Sequence, residues 1–164
     1  MELRKLEKTE EANYTEYIKS WKTEKIVPAS SDNKGKAFND FLKKLKSDEI
    51  ENNGRVPSET YFLFMKNGEI AGAINCRYAL NEHLREIGGH IGYGVSPNYR
   101  NQGIATTMLR LVLDSYREKN FDRVMLTADD ENQGSVKTIL SCGGKLYETG
   151  KKEQKSYGKY WIEL

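Results

Sequence analysis

Cysteine is scarce in this chain: Cys76 and Cys142 are the only two in 164 residues. They have no metal-ligand spacing, which excludes a zinc module and a disulfide-stapled scaffold and fits reduced thiols. No metal is expected. No apolar run approaches the roughly 20 residues that span a bilayer, so no membrane partner is expected either. The opening Met1-Glu2-Leu3-Arg4-Lys5 lacks the apolar segment of a signal peptide, and the expected location is cytoplasmic. An excess of one charge sign is also missing. The 26 Lys+Arg and 24 Asp+Glu leave a net charge of +2, with lysines interleaved among acids, which describes a solvated face and not a nucleic-acid-binding stripe. Internal repeats, low-complexity segments and linkers are absent as well, so one domain over 1–164 is expected, long enough to bury a core.

What is present is an alternation of short elements. Glu2 to Glu7 alternates weakly as a first strand, and Thr9 is a candidate N-cap for a helix carrying Tyr14, Tyr17, Ile18 and Trp21 at helical spacing. Ile26 to Lys34 reads as an ordered loop. Phe38, Phe41, Leu42 and Leu45 mark one face of a second helix, stopped near Asn52-Asn53-Gly54. Thr60 to Met65 and Ile70 to Tyr78 flank the hairpin turn Asn67-Gly68. After a polar excursion, Asn81 to Glu86, comes the strand Gly88 to Val95, then a helix from Gly103 with Ile104, Met108, Leu111 and Val112 as its buried stripe. A strand from Arg123 to Thr127, a helix from Asn132 to Ser141 stopped by Gly143-Gly144, and two strands around Lys151 to Lys155 complete the chain. The order β-α-α-β-β-β-α-β-α-β-β predicts an α/β (α+β) mixed sheet flanked by helices, with the strands on either side of the Gly103 helix parallel or nearly so. Trp161 and the terminal strand either extend a dimer sheet or close a monomer.

The most informative stretch is Val95-Ser96-Pro97-Asn98-Tyr99-Arg100-Asn101-Gln102-Gly103-Ile104-Ala105, a strand-to-helix turn. Consecutive backbone N–H groups at a helix N-terminus favour an anion, Gly103 permits close approach, and Arg100 adds a planar cation. The pattern predicts a polyphosphate seat. A Walker loop is excluded because no Gly-Lys-Ser/Thr end exists. A dinucleotide fingerprint fits poorly, because Gly92-Tyr93-Gly94 lies inside the strand and a third spaced glycine is missing.

Arg100-Asn101-Gln102-Gly103-Ile104-Ala105 matches the Arg/Gln-x-x-Gly-x-Gly/Ala signature of the GNAT N-acetyltransferase superfamily. The resemblance continues through Asn132 and Ser135 to Gly143-Gly144. The chain is similar to a subgroup of functionally unassigned predicted acetyltransferases that share the Gly-Gly-His-Ile-Gly-Tyr-Gly-Val strand. The resemblance implies a GNAT-like fold and acetyl-CoA as co-substrate, with direct attack by a primary amine of a small molecule or peptide. It further implies a cofactor site made from Tyr93, Val95, Arg100, Asn101, Gln102, Gly103, Ile104, Ala105 and Asn132. Tyr93 and Val95 would offer backbone groups along an edge exposed where two strands splay. The pyrophosphate would meet N–H groups from Gln102 to Ala105, and Asn132 would cap its own helix while bonding a pantetheine amide.

Catalysis is less defined. Base candidates are Glu82, His83, Glu86 and His90, of which Glu82 and His90 are preferred; His90 also fits a satisfied core histidine. Where the family commonly has an acidic tyrosine, seven residues after the motif asparagine, this chain has Ile139. Tyr147, Ser141 or solvent would then supply the proton. A non-catalytic coenzyme A-binding or regulatory module is the alternative reading. Monomer and homodimer both remain open.

Overall fold

The computed structural model describes residues 1–51 and 53–164; Asn52, in the predicted stop of the second helix, lies outside the described residues. The elements are β1 (Glu2–Arg4), α1 (Glu11–Ser20), α2 (Phe38–Asp48), β2 (Ser58–Phe64), β3 (Ile70–Arg77), α3 (Glu82–Glu86), β4 (Ile91–Val95), α4 (Ile104–Glu118), β5 (Arg123–Asp129), α5 (Gln133–Ser141), β6 (Gly144–Lys152) and β7 (Lys155–Glu163). The expected order holds, with the polar excursion contributing the short α3.

The strands form two antiparallel sheets, β1-β2-β3-β4 and β5-β7-β6. β4 and β5 lie side by side at one end only. There the His90 N–H donates to Met125 O (2.7 Å) and His90 Nδ1 accepts from the Met125 N–H (2.9 Å). The Gly88 N–H adds a bond to Thr127 Oγ1. Beyond this clasp no ladder joins the two strands, so the expected mixed sheet is split into a fork. β7 is flanked on both sides, by β5 and β6. The terminal strand therefore closes this chain's own sheet, and its edges are not available to a second copy.

Two apolar clusters hold the fork. On one face, Ile104, Met108, Leu109, Val112, Leu113 and Tyr116 of α4 pack against Ile74, Ile91, Val124 and Leu126. The buried stripe of α4 thus passes through Leu109 and Leu113, while Leu111 is exposed. The other face of the first sheet is covered by an aromatic layer, Tyr14, Tyr17 and Trp21 of the α1 region with Phe38 and Phe41 of α2, over Phe62 and Phe64. Area burial is the main stabilising contribution of such layers, roughly 1.5–3 kcal/mol per large side chain.

The glycine face of β4 has a specific purpose. A Cβ on Gly94 would lie 2.0 Å from Val27 O, so the connection between α1 and α2 presses directly on the strand. At Gly94 that face is therefore covered by the loop. Gly88 and Gly89 take positive φ values of 110° and 62°, which ends the regular strand at Ile91, not at Gly88. A Cβ at Gly89 would fall 2.2 Å from Met125 O, so only glycine lets the two strands meet at the clasp.

Candidate active site

Antiparallel pairing determines which groups of β4 are spare. Arg77 N–H donates to His90 O and Ser96 N–H to Ala71 O. With the register Ile74↔Tyr93 and Gly72↔Val95, alternation turns the backbone of Gly92 and Gly94 toward β3. The N–H and C=O groups of Tyr93 and Val95 therefore turn to the open side of the fork.

The chain then makes a 3-10 turn at Pro97–Tyr99 and reverses through left-handed Asn101 (φ 59°) and Gly103 (φ 75°). Asparagine and glycine tolerate that region better than other residues. Gly103 is the N-cap of α4 and carries no side-chain cap. The Thr107 N–H closes the first helical bond, onto Gly103 O at 3.0 Å. The amides of Ile104, Ala105 and Thr106 are thus left without helical partners. A Cβ at Gly103 would meet nothing within 4 Å, and Ile104, Ala105 and Thr106 all border open space.

Both features open into one cleft of about 690 Å³, lined by Tyr93, Val95, Arg100, Asn101, Gly103, Ile104, Ala105 and Asn132 among others. Of the residues assigned to a cofactor from sequence, only Gln102 is outside this lining; its Nε2 donates to Asn98 O (3.2 Å). Asn132 caps α5, its Oδ1 accepting from the Ser135 N–H at 3.1 Å. Arg100 does not point into the helix N-terminus. Its guanidinium pairs with Glu24 (2.6 Å) and lies 5.6 Å from the Trp21 ring centre. That cation holds the exposed Glu24 carboxyl below its ordinary range.

The three residues assigned to catalysis are not brought together. Glu82 is exposed on α3. Tyr147 is exposed on β6, its ring 6.3 Å from that of Trp161. His90 is buried against Tyr116 and Phe121. Desolvation, with Arg85 and Arg77 nearby, pushes His90 down to about 4, and its Nδ1 is occupied by Met125. None of the three lines the cleft. Glu86 accepts from Tyr157 Oη and from Lys159 Nζ (2.8 Å), and these partners, first Lys159, keep its carboxyl low. Ile139 is fully buried in the core, whereas Asn132, Ser135 and Thr138, at a spacing of three, line the cleft.

A reading of motifs misses one cleft residue, Trp21, and the side-chain role of another, Tyr93, which it assigns only through its backbone groups. The Tyr93 side chain crosses the fork, its hydroxyl 3.0 Å from Ser135 Oγ and 3.2 Å from Ser135 O. Burial raises that phenol to about 12, so it stays protonated at neutral pH. Trp21 lines the same cleft, and its buried Nε1 has no hydrogen-bond partner among the described residues. Strand alternation would have directed Tyr93 away from the glycine face; nothing local to Trp21 distinguishes it from its aromatic neighbours.

A split sheet with an uncapped helix at its fork matches the acyltransferase class implied by the sequence resemblance. Residues 15–143 match the Acetyltransferase (GNAT) family, and the chain belongs to that family. No curated protein sequence matches it. Among solved structures it is similar to ribosomal-protein-S5-alanine acetyltransferase from Vibrio fischeri (15% identity, 98% of this chain and 91% of that chain, TM-score 0.72). An acetyltransferase of the GNAT family from Streptococcus pneumoniae is also similar (17%, 99% and 99%, 0.67). So is a chimera of spermidine N-acetyltransferase SpeG from Vibrio cholerae and hSSAT (16%, 99% and 96%, 0.66). At these identities the likeness concerns the fold. Among the described residues, no group of three or more His, Cys, Asp or Glu is placed to hold a metal, and no helix is long and apolar enough to cross a membrane.

Proposed function

We propose that this protein is an acetyl-CoA-dependent N-acetyltransferase acting in the cytoplasm on a primary amine of a small molecule or peptide. The observation that carries the reading is the convergence of two sets of spare backbone groups on one cleft. The uncapped amides at the start of α4 suit a pyrophosphate. The unpaired edge at Tyr93 and Val95 suits an extended, amide-rich arm. Coenzyme A has this combination of groups. The solved structures of similar fold include enzymes named for spermidine and for an alanine of ribosomal protein S5, which supports keeping both small-molecule and peptide acceptors.

When bound, acetyl-CoA supplies a thioester carbonyl to be attacked and a thiolate to be protonated. Tyr93 is the group of this chain best placed to donate that proton. Its hydroxyl is in the cleft, is held by Ser135, and keeps its proton at neutral pH. Arg100 would leave Glu24 to neutralise phosphate charge, and Asn132 would offer its side-chain amide while still capping α5. His90 is assigned to the clasp, not to proton transfer.

Thermal denaturation with and without acetyl-CoA tests the reading. At about 100 times Kd, a ligand confined to the folded state adds roughly 2.7 kcal/mol; no shift at millimolar cofactor would overturn it. Gly103→Val, a β-branched residue at a φ of 75°, should remove the shift. The alternative, a coenzyme A-binding module without catalysis, rests on the burial of Ile139. Free-thiol release across a panel of amines separates it from an enzyme.

A further inference from the structure

Lysine and arginine side chains drawn wholly or partly into this fold are matched with acids, except one. Lys159 lies between Glu86 and Glu148, both at 2.8 Å. Lys5 is matched by Glu49 and Glu59, Arg4 by Glu2 and Glu10, and Lys44 by Asp48. Arg77, the half-buried last residue of β3, has no carboxylate partner among the described residues. Its hydrogen bonds are made by Nη1 alone, to Gly89 O (3.0 Å) and Gly88 O (3.4 Å). Burial lowers its affinity for a proton, and Glu86, at the end of α3, is engaged by Lys159 and Tyr157.

The free part of the guanidinium is one edge of its fork, Nε and Nη2. Nη2 lies 3.7 Å from the position a Cβ on Gly92 would take, with Pro28 Cβ 3.9 Å from the same point. Gly92 stands two residues from Gly94, which lines the cleft, on the same face of β4. Gly92 and Arg77 both keep partial exposure. Arg77 therefore occupies the side-chain-free face of β4, one pleat (roughly 7 Å) below the cleft wall. A partly desolvated cation without an anion is costly unless a partner arrives. The Nε/Nη2 edge of a guanidinium matches the two oxygens of a carboxylate.

We propose that Arg77 binds a carboxylate of the acyl acceptor, so that the substrate is an amine that also bears a carboxylate, as an amino acid does. This rests on the acetyltransferase reading and narrows its acceptor. A dicationic amine meets an uncompensated positive charge at this position.

The test uses the intact protein without cofactor and reads binding by calorimetry. The probes are glycine, β-alanine and γ-aminobutyrate, each beside its carboxamide, and trialanine beside trialanine amide. The small acids report a free amino acid and trialanine a peptide carboxylate. At least one acid should bind roughly 10–100-fold tighter than its amide, the range expected for a charge-assisted pair. Arg77→Gln should abolish that preference, and Arg77→Lys, which keeps the charge but loses the fork, should retain part of it. The same preference should show in KM for acetylation, with kcat little changed. Equal binding of every acid and its amide, or no binding by any acid, overturns the proposal, whether or not Arg77→Gln folds, because the wild-type comparison stands alone. The acetyl-CoA thermal shift measured on the same preparation shows separately whether the cofactor reading holds.

Discussion

Two aromatic residues of one strand neighbourhood divide the chemistry between them. Tyr93 and His90 are three residues apart, yet one hydroxyl enters the cleft and one imidazole is locked in the core. Tyr93→Phe should leave the acetyl-CoA thermal shift in place while kcat falls roughly 10²–10⁴-fold, the usual scale for a lost general acid. Steady-state rates beside melting curves check this. His90 makes a different prediction, about pH. Its folded value of about 4 lies below the unfolded value near 6.5. The unfolded chain therefore takes up a proton first, and stability present above pH 6.5 is lost as pH falls toward 4. Between pH 6.5 and 4.5 this amounts to about 2–3 kcal/mol. Urea titrations should show that loss in the wild type and a flatter profile in His90→Gln, which is less stable at pH 7. The histidine itself was visible in the sequence, and both of its candidate roles could be written down. What decides between them is the Met125 amide 35 residues away, and no local pattern reports it.

At the scale of elements, the junction between β4 and α4 was the most legible part of the protein. Its turn, its left-handed residues and its missing cap all depend on neighbours within ten positions. The existence of the strands was also readable, since period-two alternation is local, although β4 begins at Ile91 and not at Gly88. Their partition into two sheets was not, because periodicity says that a strand exists and not which strand it pairs with. The pressure of Val27 on Gly94 belongs to the same category. It leads to a contrast between two glycines of the site. Gly94→Ala places a methyl against a backbone carbonyl that has no room to yield, and should cost roughly 1–3 kcal/mol. Gly103→Ala meets open space and bears only the strain of a left-handed alanine, roughly 1–2 kcal/mol. Urea midpoints and acetyl-CoA titrations of the pair should separate them. The first variant loses stability and loosens the loop that carries Trp21 toward the cleft. The second alters mainly the presentation of the α4 amides.

Over the whole molecule, each core belongs to a different set of layers, and the link between the sheets is concentrated at the His90 clasp and in α4. Arg77 and Trp21 were unreadable from sequence for this reason. Their significance comes from what is absent around them, an acid in one case and an acceptor in the other, and absence of a partner is a property of the assembled fold. The open end of the fork has a consequence for exchange with solvent. The amides of Tyr93 and Val95 sit in a strand that is paired on its other side, so they would be assumed slow by position, yet no carbonyl protects them. In deuterated buffer they should exchange far faster than those of Gly92 and Gly94, their immediate neighbours. A ligand lying along that edge would act as the rung that the two sheets never form, and should slow the odd-numbered amides selectively. An alternating pattern of this kind, read residue by residue, would map the path of the bound molecule without a structure of the complex.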